Sequence, residues 1–130
     1  MGKRSDAVFS TLRSFTEVID GFDKRVSNLI NVHIIHFQVA WRASRHDGEL
    51  PASCCIEQDK KAVDGPYQLY QIRVGPGRGY RAWVMFLDNG PDAYWIYAFK
   101  KEKDRQPEDM ERARTIAQKY WEQIRSGNNG

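Results

Sequence analysis

The sequence predicts an α+β domain in which N-terminal helices pack on an antiparallel β-meander sheet, followed by a C-terminal helix, with the helices over one face. Three observations predict it. Residues 67–101 hold three runs rich in aromatic and β-branched residues, separated by Gly75-Pro76-Gly77-Arg78-Gly79 and Asp88-Asn89-Gly90-Pro91-Asp92. Upstream, Val26, Leu29, Ile30, His33, Phe37 and Trp41 recur at helical spacing. Downstream, Met110, Ala113, Ala117, Tyr120 and Ile124 follow steps of three and four. The 130 residues suffice for one domain with its own core, residues 1–130, and are too few for two.

In chain order, residues 1–6 read as a frayed end. Ala7 to Ile19 fits two readings. Val8, Leu12, Phe15, Ile19 and Phe22 form a helical stripe, and Ala7–Leu12 equally suits a short strand before a helix. Gly21 breaks the pattern and Asp23 is placed to cap the next helix. The β-branched stretch Val32–Val39 also suits a strand, but the length of the periodic segment favours helix. Residues 43–66, with Asp47-Gly48, Pro51 and Asp64-Gly65-Pro66, read as loop. Strands are expected over Tyr67–Val74, Tyr80–Leu87 and Ala93–Lys101, the first two joined by a mobile hairpin turn. Pro107 suits a first helical turn, with Glu108, Asp109 and Glu111 at the positive end of the dipole. Residues 126–130 read as a flexible tail.

Hydrophobic residues make up 41% and charged residues 28%, which fits a folded domain rather than a disordered chain. The net charge of +3 permits a nucleic-acid partner without requiring one. No apolar run is long enough for a membrane span and no signal-peptide core follows Met1, so a cytoplasmic protein with no membrane partner is expected. The two cysteines, Cys54 and Cys55, are adjacent; they cannot close a loop, lack the spacing of a zinc pair, and read as reduced thiols. His33 and His36 stand at i, i+3 with no acidic residue between them, so neither a metal nor a cofactor is expected, and His33 reads as a satisfied core histidine. His46 lies in the loop with nothing around it to specify a role.

The chemistry that stands out is cationic. In a meander the end of the first strand lies beside the start of the second, and the end of the third returns to that edge. Arg73, Arg81 and Lys100 or Lys101 therefore converge on one sheet edge. Arg78 sits at the turn tip, and Lys103 and Arg105 follow the last strand. Arginine offers phosphate a planar fork of donors and lysine a compact charge. Two or more around one phosphodiester would stabilise the charge that builds up in a pentavalent transition state. The bland alternative is a solvated basic rim. Of the nearby aromatics, Tyr80 is a candidate to stack on bases, while most of the others suit core and cross-strand pairs. Which cations share a face depends on register, because a one-residue slip turns each side chain over.

Leu69-Tyr70-Gln71-Ile72-Arg73, then Gly79-Tyr80-Arg81, then Ala98-Phe99-Lys100-Lys101, then Pro107 and an alanine-containing helix resemble, in order and spacing, the RelE/ParE toxin superfamily. The pattern is most similar to its HigB-like, phage-derived-protein-like branch and covers about residues 60–122. The resemblance implies two N-terminal helices on an antiparallel sheet and a toxin of a type II toxin–antitoxin pair. It implies a helix-turn-helix antitoxin as partner, binding to the ribosome, and cleavage of mRNA there. That cleavage is metal-independent, with a 2′-hydroxyl as nucleophile. Carried over by position, Arg73, Arg81, Lys100 and Lys101 are the catalytic cations, with Arg78, Lys103, Arg105 and Tyr80 on the RNA. The sequence departs from the pattern at Gln71, where some relatives are basic. It has no histidine in the matching region and no tyrosine between Lys101 and the last helix, so either a lysine takes over proton transfer or the protein is a slow nuclease. Residues 43–66 are longer than the pattern implies and suit a partner-binding insertion. Two other readings stay open: a non-enzymatic gyrase inhibitor of the ParE type, and an inactive phage-derived domain that only binds RNA or an antitoxin.

Overall fold

The structure, a computed structural model, describes residues 3–54, 56–59, 66–88 and 90–127. Ala7–Ile19 satisfies both of its readings in succession: strand β1 (Val8–Thr11) runs directly into helix α1 (Arg13–Gly21). Helix α2 (Lys24–Ala43) starts where Asp23 accepts a hydrogen bond from the Arg25 amide at 2.8 Å, which satisfies one of the orphan donors of the first turn. Strands β3 (Tyr67–Val74) and β4 (Tyr80–Leu87) have the expected bounds; β5 spans Asp92–Lys100 and α3 spans Gln106–Arg125, with Pro107 in its first turn.

Two expectations about the sheet are corrected. The stretch read as loop contains β2 (Ile56–Gln58), which pairs antiparallel with β3 through Ile56 opposite Ile72. Three residues are too few to show a period, so the pairing partner makes this strand rather than its own pattern. The sheet is also mixed rather than purely antiparallel. Its order is β1-β5-β4-β3-β2, and β1 lies parallel to β5 with Val8 opposite Asp92. A parallel pair needs a long crossover, here the α1, α2 and meander segment, which no local signal announces.

The helices cover both faces, not one. On one face Phe15 and Ile19 of α1 and Ile30, Ile34, Phe37 and Trp41 of α2 pack against Tyr70, Ile72, Val74, Ala82, Val84, Phe86 and Trp95. Trp41 stacks on Phe86 with ring centres 4.2 Å apart. On the other face, Ala113 and Ala117 of α3 bring the helix close to Trp83, Met85, Ile96 and Phe99. These two small residues are fully buried, and the larger ones they meet supply most of the apolar area. The Trp83 Nε1–H donates to Gln71 at 3.2 Å, so Gln71 serves this core.

A β-bulge in β5 decides which side chains go to which face. Trp83 is opposite Tyr97 while its neighbour Val84 is opposite Trp95, so Ile96 is the extra residue. Consecutive Ile96 and Tyr97 both join the α3 core, and from there the alternation is inverted. Lys100 therefore lies opposite Tyr80, on the face of α1 and α2, whereas Arg81 lies opposite Phe99 on the face of α3.

Candidate nucleic-acid interface

The connection between β3 and β4 is a tight turn built on left-handed residues. Gly75 has φ +79°, and a Cβ there would stand 2.7 Å from the Tyr80 ring. Gly77 and Arg78 also have positive φ, at 59° and 53°. The Gly75 carbonyl accepts from the Arg78 amide at 2.9 Å. Two guanidinium groups then brace the turn. Arg78 Nη1 donates to the Arg73 carbonyl at 3.0 Å, and Arg81 Nη1 donates to the carbonyls of Arg78 and Tyr80, both at 3.0 Å. The segment read as a mobile hairpin is thus tied to both of its strands by side chains.

The strand register brings Arg73, Arg81 and Lys100 to one end of the sheet. Arg73 is directly opposite Arg81, and Tyr80 is directly opposite Lys100. The Lys101 amide continues the pairing by donating to the Gly79 carbonyl at 2.8 Å. Arg73, Lys100, Lys101, Lys103 and Arg105 are exposed and Arg78 is half-buried. Two strand spacings, about 10 Å, separate the ends of β3 and β5, so the backbones carrying Arg73 and Lys100 meet at one edge, with Arg73 on the α3 face and Lys100 on the α1 and α2 face. Arg81 differs from the rest: it is 4% exposed. Its Nη1 is engaged by the two carbonyls, so its observed work is to hold the turn that carries Arg78. Tyr80 is half-buried with its ring edge-on to Phe22, the centres 5.2 Å apart. Most other aromatics of the meander are core, as their strand positions imply.

Directly opposed like charges destabilise a sheet. Among the described residues, none of Arg73, Arg78, Lys100, Lys101 and Lys103 forms an ion pair. Elsewhere some cations are matched (Arg4 with Asp47, Arg13 with Glu17, Arg45 with Glu49 and Arg114 with Asp59), while others, such as Arg42 and Arg112, form no ion pair among the described residues. Among the described residues, Arg105 of this edge pairs with Glu102 at 4.0 Å. A sheet edge where cations outnumber carboxylates presents net positive charge to an external anion.

Two openings flank this edge. A groove of about 350 Å³ lies along the end of β5, between Val18 of α1, Phe22 just after it and the start of α3; Lys100, Arg105 and Arg112 contribute to its walls together with the acidic Glu102 and Asp109. At the other side, a small crevice between α2 and the end of β3 is lined by His33, His36, Ser53, Arg73 and Arg78. The Gly75 amide donates to His33 Nδ1 at 2.9 Å. Burial, then the positive charges of Arg78 and His36, push the His33 pKa below its ordinary value. These two histidines were not tied to the basic edge by sequence reasoning, since they stand some 40 positions upstream of Arg73. The one available signal was that an α2 face carrying His33 beside Ile30 and Phe37 had to meet the sheet. His46 lies elsewhere, beside Glu49 at 3.6 Å.

Cys54 is buried, and Cys55 lies outside the described residues, as does Asn128–Gly130 of the tail. Among the described residues, no helix is long and apolar enough to cross a membrane, and no group of three His, Cys, Asp or Glu side chains is placed to hold a metal ion. No family model, curated protein or solved structure matches the chain.

Proposed function

We propose that this chain is the toxin of a type II toxin–antitoxin pair, a HigB-like member of the RelE/ParE superfamily that cleaves mRNA on the ribosome. The observation that carries the proposal is the set of cations Arg73, Arg78, Lys100, Lys101 and Lys103 where the ends of β3 and β5 meet the start of β4, none of which forms an ion pair among the described residues. In this reading the RNA backbone crosses that end of the sheet. Arg73 and the lysines hold the scissile phosphate, and Arg81 positions the turn from beneath. The 2′-oxygen of the RNA bonds to phosphorus as the bond from phosphorus to the 5′-oxygen breaks. A base takes the 2′-hydroxyl proton and an acid supplies one to the leaving oxygen, giving a cyclic phosphate and a 5′-hydroxyl. The cations neutralise the charge gathered on the non-bridging oxygens.

The antitoxin in this reading needs a surface of its own. Helix α2 offers one: Val32, Ile35 and Val39, at steps of three and four, are 43%, 56% and 61% exposed.

Induced expression of wild type and of an Arg73→Ala/Lys101→Ala variant, with mapping of cellular mRNA 5′ ends, tests the reading. Cuts at in-frame codon positions, lost in the variant although it accumulates folded, are expected. Growth arrest without cuts, together with inhibited supercoiling by gyrase, would replace it with the ParE-type reading. Neither arrest nor cuts would leave a domain that only binds.

A further inference from the structure

We infer that the crevice between α2 and the β3–β4 turn is a phosphate-oxygen site, in which His33, locked as a neutral hydrogen-bond donor, acts together with Arg78. This rests on the reading above for the identity of the phosphate, an RNA phosphodiester. The crevice brings together residues from three separate segments: His33 and His36 from α2, Ser53 from the loop, and Arg73 and Arg78 from the hairpin. Its volume of about 20 Å³ admits one water-sized group, such as a phosphate oxygen, and no base. Among the described residues, no Asp or Glu lines it.

The tautomer of His33 follows from its partner. An amide N–H can only donate, so the Nδ1 that faces Gly75 carries no proton. The ring proton is on Nε2, which is then a fixed donor. Arg78, which lines the same crevice, disfavours a second proton on the ring, in agreement with the lowered pKa. A neutral imidazole in this state is a poor acid, since losing the Nε2 proton would leave an anion. It is suited to polarise a phosphate oxygen rather than to transfer a proton. The same hydrogen bond couples the donor to Gly75, the residue on which the turn pivots. Occupation of the crevice and the conformation of the Arg78 turn are therefore linked.

The alternative is that His33 only caps the turn. A conservative variant separates the two. In His33→Asn the side-chain oxygen occupies the place of Nδ1 and still accepts from Gly75, while the Nε2 donor is gone. The measurement is NMR of the imidazole signals with a 2′-O-methyl oligoribonucleotide, which cannot be cleaved, and in parallel with inorganic phosphate. His46, remote from the crevice, is the internal reference. The expected result is movement of the His33 and His36 signals, not of His46, with both probes. Oligonucleotide affinity should fall by on the order of tenfold in His33→Asn, the loss expected for one hydrogen bond to a charged group. Oligonucleotide binding that leaves both signals still, or equal affinity in His33→Asn, would overturn the site. The cleavage reading would then stand or fall on its own variants of Arg73 and Lys101. Movement with inorganic phosphate alone would overturn RNA as the ligand, and no response to either probe would overturn the inference altogether.

Discussion

At the scale of single residues, the glycines of the β3–β4 turn separate two causes of strain. Gly75 and Gly77 both have positive φ, but only Gly75 is crowded, by Tyr80 at 2.7 Å and Ile30 at 3.3 Å from a built Cβ. Nothing lies within 4 Å of the corresponding position at Gly77. Gly77→Ala therefore meets only the left-handed backbone penalty, about 1 kcal/mol. Gly75→Ala adds a clash that Tyr80 cannot relieve without leaving Phe22, and the cost rises to roughly 3 kcal/mol. Urea denaturation of both variants checks this; equal shifts of the midpoint would mean that the turn opens to admit the methyl group. The sequence showed this stretch as a turn because Gly-Pro-Gly is punctuation. That one of its glycines touches α2 was not legible, since Ile30 and Gly75 meet only in the fold.

At the scale of elements, what was legible depended on the length of the pattern. The bounds of β3 and β4 followed from eight-residue runs closed by turn residues at each end. The faces did not follow, because the extra residue in β5 inverts the alternation at Ile96, and a bulge leaves no mark in composition. Nor was it visible that α3 takes the opposite face from α2, since an amphipathic helix shows which of its sides is buried but not against what. An ion pair makes this placement explicit. Arg114 of α3 donates from Nε and Nη2 to the two carboxylate oxygens of Asp59, at 2.9 and 3.0 Å, where the chain passes from β2 to β3. The Asp59 side chain is only 6% exposed. Removing Asp59 strips Arg114 of its buried bidentate partner and leaves only the exposed Glu111, at 3.4 Å, so Asp59→Leu is expected to cost about 3 kcal/mol. Replacing both, Asp59→Leu with Arg114→Leu, should cost less than the single change, because neither charge is then stranded. Thermal unfolding of the two single variants and the double variant checks it. A double variant at the sum of the singles would show that the pair contributes through packing alone.

At the scale of the whole molecule, the rim exists because of connectivity. The ends of β3 and β5 meet the start of β4 in any meander, so the gathering of Arg73, Lys100 and Lys101 could be read from strand order without knowing a single side-chain direction. The contribution of α2 could not, because a helix crossing the sheet is placed by its packing and not by its position in the chain. The sum of these charges has a measurable consequence. Each phosphate neutralised on a single strand releases counterions, and the logarithm of the binding constant falls with the logarithm of salt concentration by about 0.7 per contact. With Arg73, Arg78, Lys100 and Lys101 engaged, the slope for a 2′-O-methyl oligoribonucleotide is expected near −3. Lys101→Ala should reduce it to about −2. His33→Asn should lower the affinity and leave the slope unchanged, because a neutral donor displaces no counterion. Fluorescence anisotropy at a series of salt concentrations reads all three. A slope near zero would mean that the cations are a solvated rim. A steep slope unaffected by Lys101→Ala would move the RNA path to another part of the surface. A slope that falls in His33→Asn as well would show that the histidine holds the arginines in place rather than the phosphate.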